Sequence, residues 1–212
     1  MGLTLRDKAF TLKSAKLSAA IPDPYWSRKY NPTGDARLFW SLDVAAERET
    51  DGEMWGPQIY HQNLHFPIRR WMDVVGQVVE WSSRYEEESG EPNGGFYVFE
   101  HGDIPRARLR FAERNGVSFR FEWDGVCDVF WDDDYGQDVP FSASGCAEFT
   151  GVIVQGSESD TDETLRRRLA EYVDPRDFTQ GTLCRDGHCY ESGVKMAEAV
   201  FAPLSESGRT TS

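Results

Sequence analysis

Arg106-Ala107-Arg108-Leu109-Arg110-Phe111-Ala112-Glu113-Arg114-Asn115-Gly116-Val117-Ser118-Phe119-Arg120-Phe121-Glu122-Trp123 alternates apolar and polar residues on both sides of a glycine. Successive side chains of an extended chain point to opposite faces, so period two marks strands with one face in a core. Two such runs around Asn115-Gly116 read as an antiparallel hairpin. Loop length decides which side chains share a face. A two-residue Asn115-Gly116 turn pairs Arg110 with Phe121 and sets the two apolar rows on opposite faces. A three-residue loop, Arg114-Asn115-Gly116 with Gly116 left-handed, pairs Phe111 with Phe119 and Leu109 with Phe121, and is the expected arrangement.

Outward from this hairpin, Asp124-Gly125 reads as a further two-residue turn, with Val126 opposite Trp123 and Asp128 opposite Phe121. That register aims the Asp128 carboxylate into an apolar face, where an unpartnered charge is costly. A bulge that shifts the register is the favoured resolution; the alternative is that Asp128 meets an arginine or a ligand. A strand follows from about Phe141 to Gln155. Asp160 and Glu163 then stand at capping-box spacing, and Leu165, Leu169, Tyr172 and Val173 form a helical stripe that Asp174-Pro175 ends. Arg166, Arg167 and Arg168 fall on or beside its solvent side.

Toward the N-terminus the alternation persists from Phe10 to Leu17, through Leu38, Trp40, Leu42 and Val44, and from Ile59 to Phe66. Glu49-Thr50-Asp51-Gly52 reads as a hairpin turn between the second and third runs. The loop from Ile21 to Asp35 carries three prolines beside Tyr25, Trp26 and Tyr30, a set that fits either a binding loop or one pinned to the core. Trp71, Val74, Val75, Val78 and Val79 recur at helical spacing, so a helix is expected from about Arg69 to Tyr85, against the opposing pull of Gly76 and four valines. Residues 86–95, with Glu86-Glu87-Glu88 and Asn93-Gly94-Gly95, read as an exposed connection and the best candidate for a subdomain break. A last short helix is expected over Val194, Ala197, Val200 and Phe201. The predicted fold is α+β: a mainly antiparallel, curved sheet or meander with two or three packed helices, in one domain over residues 1–204 and a flexible tail over 205–212.

Charge is distributed unevenly. Residues 1–83 hold 10 Lys and Arg against 10 Asp and Glu, residues 84–163 hold 6 against 19, and residues 164–212 hold 7 against 7, so the centre carries the whole net charge of −13. Its densest stretch, Asp128-Val129-Phe130-Trp131-Asp132-Asp133-Asp134-Tyr135-Gly136-Gln137-Asp138, interleaves aromatics with carboxylates. A field of one sign repels nucleic acid and anionic membranes and attracts basic proteins or cations. No run at the N-terminus resembles a signal peptide and no segment approaches a transmembrane span, so a cytoplasmic protein is expected. Gly2 does not make a myristoylation signal, because Arg6 stands where that signal needs Ser or Thr.

No catalytic motif is complete. Asp132, Asp134 and Gly136 echo a calcium loop, but the glycine comes too soon and no Glu closes twelve residues. His61 and His65 share a face on either a helix or a strand, yet Gln62 holds the place of the zincin base; a strand with hydrogen-bonded histidines is expected. Cys127 and Cys146 read as core filler. Cys184 and Cys189 flank Asp186-Gly187, a turn able to bring the sulfurs together; free thiols are expected in a reducing compartment, with a disulfide or a zinc site as alternatives. Arg106, Arg108, Arg110 and Arg120 form a basic stripe expected to pair with neighbouring acids rather than with phosphate.

The function expected on these grounds is a non-catalytic acidic binding protein without cofactor or metal, resembling in composition the immunity and antitoxin proteins that neutralise a basic toxin. Its partner-binding surface is expected at residues 124–138, through Asp128, Trp131, Asp132, Asp133, Asp134, Tyr135 and Asp138. The alternatives are a divalent-metal hydrolase built on Asp128, Asp132, Asp134 and Asp138, and a β-barrel-like protein holding a small ligand.

Overall fold

In the computed structural model, which describes residues 1–23, 37–48, 56–87, 90–130, 135–188 and 195–204, the alternation around Gly116 becomes strands β8 (Arg106–Asn115) and β9 (Ser118–Val129). The apolar rows do meet: Leu109 is opposite Trp123 and Phe111 opposite Phe121, and all four are fully buried. The device differs from the expected three-residue loop. The turn is Gly116-Val117, with Gly116 at φ 59°, and a bulge between Phe111 and Glu113 restores the phase that a two-residue turn would lose.

β9 also runs straight through Asp124-Gly125, where a turn was expected. Gly125 serves instead for close approach, since a Cβ there would stand 2.6 Å from the Arg106 carbonyl oxygen on β8. Without that turn Asp128 has the parity of Arg120, Glu122 and Asp124, away from the Phe121–Trp123 row. The strand β10 (Gly136–Ser157) continues the meander, its alternation burying Ala143, Ala147 and Phe149. The exposed phase includes Cys146, which is therefore not core filler.

The chain forms two compact units: Met1–Leu17, Ser41–Leu64 and Val74–Phe149 in the first, and Ser18–Trp40, His65–Asp73 and Thr150–Ser212 in the second. The remaining strands are β1 (Gly2–Leu5), β2 (Lys8–Ile21), β3 (Phe39–Ala46), β4 (Gln58–Leu64), β5 (Val78–Trp81), β6 (Gly95–Tyr97), β7 (His101–Asp103), β11 (Thr182–His188) and β12 (Lys195–Phe201). In the first unit the strand order is β5-β8-β9-β10-β1-β2-β3-β4-β6-β7. The sheet curves enough for its two edges to touch: the Trp81 indole of β5 donates to the Ile104 carbonyl just after β7 at 2.7 Å, and β6 and β7 pack on β9. Leu3, Leu5, Leu42, Phe96, Phe119, Phe121 and Trp123 fill the core.

The sheet class of the prediction holds, but its two or three helices do not. Among the described residues only α1 (Asp162–Tyr172) is a helix of seven or more residues. The expected helix over 69–85 reduces to a 3₁₀ turn at Trp71–Val74; Gly76 then takes φ 87°, outside helical conformation, and the following valines settle in β5, the state that β-branching favours. The expected helix near the C-terminus is strand β12, whose Lys195–Phe201 run pairs with both β10 and β11.

In the second unit, the final residues of β10 pair with β12, so that Val152 lies opposite Phe201. The cap of α1 lies one residue later than the spacing implied: Thr161 Oγ1 accepts the Thr164 N–H at 3.2 Å, while Asp160 takes the Ser157 N–H at 2.8 Å. Leu165, Leu169 and Val173 are buried along its stripe. Of its three arginines only Arg167 faces solvent as expected; Arg166 donates to the Thr179 and Pro175 carbonyls and Arg168 to the Gln155 carbonyl. At the other end, Arg69 donates to the Ala170 and Glu171 carbonyls, satisfying acceptors that a helix C-terminus leaves open. The adjacent Arg70 grips the buried Asp177 through two hydrogen bonds, at 3.0 and 3.2 Å.

Candidate functional site

The acidic run spans the connection between β9 and β10. Trp131, Asp132, Asp133 and Asp134 lie outside the described residues, as do the expected turn at 49–52, the 24–35 part of the proline-rich loop, and Cys189. The base of the connection is described. Val129 pairs with Gly136, and the register then shifts before Val139 pairs with Cys127. Asp138 sits in that bulge at φ 55°, a left-handed conformation that Asp tolerates better than most residues. Its N–H donates to Asp128 Oδ1 at 3.2 Å, and its side chain remains half exposed. The half-buried ring of Tyr135 carries the Arg6 guanidinium 5.0 Å from its centroid, a cation–π contact that tethers the end of the loop to the β1–β2 turn.

Asp128 is placed differently from a partner-binding residue. Its carboxylate is 2% exposed and forms an ion pair with Arg84, so it acts inside the protein. Of the two resolutions considered for this carboxylate the second is the one found: an arginine meets it, while the nearby bulge lies on β10 between Gly136 and Val139. Arg84 also reaches Asp103 of β7 at 3.4 Å. The hydrogen bond to Asp128, only partly opposed by lost hydration, raises the Arg84 pKa further above its ordinary value. Gly102 of β7 lies so close over β9 that a Cβ there would collide with the Asp128 carbonyl oxygen.

Arg84 falls at the end of the expected 69–85 helix, and with the expected connection over 86–95 it forms a hairpin within the first unit, its Glu87, Gly90, Glu91 and Pro92 exposed as expected: Tyr85 bridges to Pro92, the Asn93 N–H donates to the Arg84 carbonyl at 2.9 Å, and the Asn93 amide donates to the Ser83 carbonyl at 3.1 Å. Three chain-distant pieces therefore meet at one guanidinium. Beside the junction, in sequence, stand Tyr85, Phe99 and Phe130, exposed at 50%, 40% and 53%. Glu87, Glu91, Glu100 and Asp138 are exposed in the same three pieces.

The arginine stripe is matched by acids as expected. Arg108 pairs with Glu80 at 2.7 Å, Arg110 with Glu122 at 3.9 Å, and Arg120 with Glu113 and Glu122 at 3.4 and 3.3 Å. Each such exposed pair stabilises by only about 0–1 kcal/mol, but together they occupy the guanidinium groups.

His61 is in a strand, as expected, and buried: its Nδ1 accepts the Asn63 N–H at 3.2 Å and its ring stands edge-on to Trp81. His65 lies beyond that strand, its ring 5.4 Å from Phe39. Among the described residues no three His, Cys, Asp or Glu side chains are grouped to hold a metal. Cys127 is the core thiol expected, and burial, with the charge of Asp128, pushes its pKa far up, so it stays protonated and unreactive. Cys184 is exposed on β11, and Asp186-Gly187 lies within that strand instead of forming a turn.

A second constellation has no signal in the sequence. Tyr60 of β4 and His101 of β7 share a hydrogen bond of 3.1 Å between the hydroxyl and Nδ1. They line a cavity of about 240 Å³ with Gln62, Asn63, Glu91 and Asp103, floored by Gly94, Gly95 and Gly102. Gly95 is required there, because a Cβ would strike the Tyr60 ring. Burial first, then the charges of Asp103 and Asp43, raises the Tyr60 pKa, so the phenol keeps its proton and can donate to the imidazole. Tyr60 and His101 are 41 positions apart in the chain, which hides the pair from any reading of local spacing.

Compared with models of known protein families, with curated proteins and with solved structures, the chain matches none.

Proposed function

We propose that this is a non-catalytic binding protein of the immunity or antitoxin kind, which docks a basic protein on the acidic, aromatic surface around residues 124–138. What supports the reading most is the meeting of three pieces of chain at Arg84: the 84–93 hairpin, the β6–β7 turn and the β9–β10 connection each carry, near that contact in sequence, an exposed aromatic residue and at least one exposed carboxylate. Carboxylates steer a cationic partner over a distance of about one Debye length, and aromatics supply contact area that water leaves on docking. Within this reading Asp128 is a positioning residue, holding the base of the loop, while Asp132, Asp133, Asp134, Asp138, Trp131 and Tyr135 make the contact. Nucleic acid and anionic membranes are not partners on this account, because the same field repels them. Among the described residues no helix is long and apolar enough to cross a membrane; a cytoplasmic site of action is part of the proposal.

The metal-hydrolase alternative has less behind it, since the Asp128 carboxylate is engaged by Arg84 and by the Asp138 N–H. The docking proposal is tested on the products of the adjoining reading frames. One of them is expected to be a basic protein that forms a complex with this chain, with an association rate falling about tenfold or more between low and high salt. Absence of a basic partner there, or an association rate indifferent to salt, overturns the reading.

A further inference from the structure

The cavity between Tyr60 and His101 is walled by groups that accept hydrogen bonds, and it carries negative charge. Arg84 is shared between two carboxylates, Asp128 and Asp103, and its contact with Asp103, at 3.4 Å, is the looser one. One positive charge against two leaves the Asp103 side of the cavity anionic. Glu91 also lines the cavity, and charges of that sign disfavour an anion there. Gln62 and Asn63 also line it, and amide side chains carry neutral carbonyl acceptors. Two flat rings complete the lining, Tyr60 and His101, with centroids 6.4 Å apart and planes at 82°.

We propose that this cavity binds a guanidinium group. A guanidinium is planar, carries its charge permanently and presents five donors in a fork; it can pair with a carboxylate, donate to amide carbonyls and lie on an aromatic face. An alkylammonium offers the charge without the plane, and a urea offers the plane without the charge. Burial is the larger cause of the raised Tyr60 pKa, and the charge of Asp103 adds to it. Asp103 and Glu91 belong both to this cavity and to the pieces that meet at Arg84, but none of residues 124–138 lines it, and either proposal can fail without the other. The guanidinium can come from a small free compound or from an arginine side chain of another protein.

The test is a titration of the whole protein with L-argininamide, L-citrullinamide, L-lysinamide and the peptide acetyl-Gly-Arg-Gly-amide, followed through the His101 ring resonances and by calorimetry. Argininamide is expected to shift the His101 signals saturably, with citrullinamide at least tenfold weaker and lysinamide weaker as well. Tighter binding of the peptide assigns the guanidinium to a protein side chain; weaker binding assigns it to a small free compound. Asp103→Asn is expected to weaken argininamide about tenfold, the scale of one charged hydrogen bond. Citrullinamide or lysinamide binding as tightly as argininamide, or no saturable shift, overturns the proposal, and because these comparisons use the unaltered protein they hold even if Asp103→Asn fails to fold.

Discussion

Arg84→Met is expected to lower the melting temperature at pH 7 by on the order of 10 °C, the effect of leaving a buried carboxylate without its cation. Asp128 is 2% exposed, and the groups described around it are the Arg84 guanidinium and the Asp138 N–H. Once the arginine is gone, a buried carboxylate is left without its cation, which costs far more than the loss of an exposed pair. The double variant Arg84→Met/Asp128→Asn is expected to be more stable than Arg84→Met alone at pH 7, because it removes the stranded charge. Thermal melts of the three proteins at pH 7 decide this. An Arg84→Met loss of only a degree or two, or a double variant no more stable than Arg84→Met, means the pair does not hold the junction.

A single methyl group added at Gly102 is expected to be nearly as damaging. The atom it would meet is the backbone carbonyl oxygen of Asp128, with the carbonyl carbon 2.9 Å away. Backbone cannot turn aside as a rotamer does, so β7 must retreat from β9, and the Arg84 contact with Asp103 goes with it. Gly102→Ala is expected to cost about 2–3 kcal/mol, at the upper end of overpacking costs, and about 5–10 °C in melting temperature. Gly95→Ala is the informative contrast. Its added carbon meets the Tyr60 ring, a side chain free to swing, so the stability loss is expected to be smaller while the Tyr60–His101 hydrogen bond breaks. Equal losses at the two glycines would show that the approach of β7 to β9 is not rigid.

The strands were legible in sequence where alternation is long. Leu109 and Phe111 against Phe121 and Trp123 require the apolar rows to share a face, and the fold obeys that requirement by means of a bulge near Ala112 that no local pattern specifies. Period alone misled where a short apolar run fits two templates. Trp71, Val74, Val75, Val78 and Val79 match helical spacing, but Gly76 at φ 87° and the preference of valine for extended backbone prevailed. Val200 and Phe201 failed for the same reason, being taken up by strand pairing to β10. The acidic region was legible in its charge and illegible in its assembly. Asp128 could be flagged as a carboxylate in need of a partner; that the partner would be Arg84, from a segment rich in loop-forming residues, depends on how the sheet curves. The Tyr60–His101 cavity depends on the same curvature.

Within the acidic stretch Asp128 holds the base of the loop, and Asp132, Asp133 and Asp134 are proposed to meet a cationic partner. The most direct measurement compares the triple variant Asp132→Asn/Asp133→Asn/Asp134→Asn with the unaltered protein, by thermal melt and by association rate with the basic partner across a salt series. The predicted result is an unchanged melting temperature, within about 2 °C, together with an association rate about tenfold lower at low salt and a flattened salt dependence. An unaltered association rate, or a collapse of stability on removing those three charges, would contradict it.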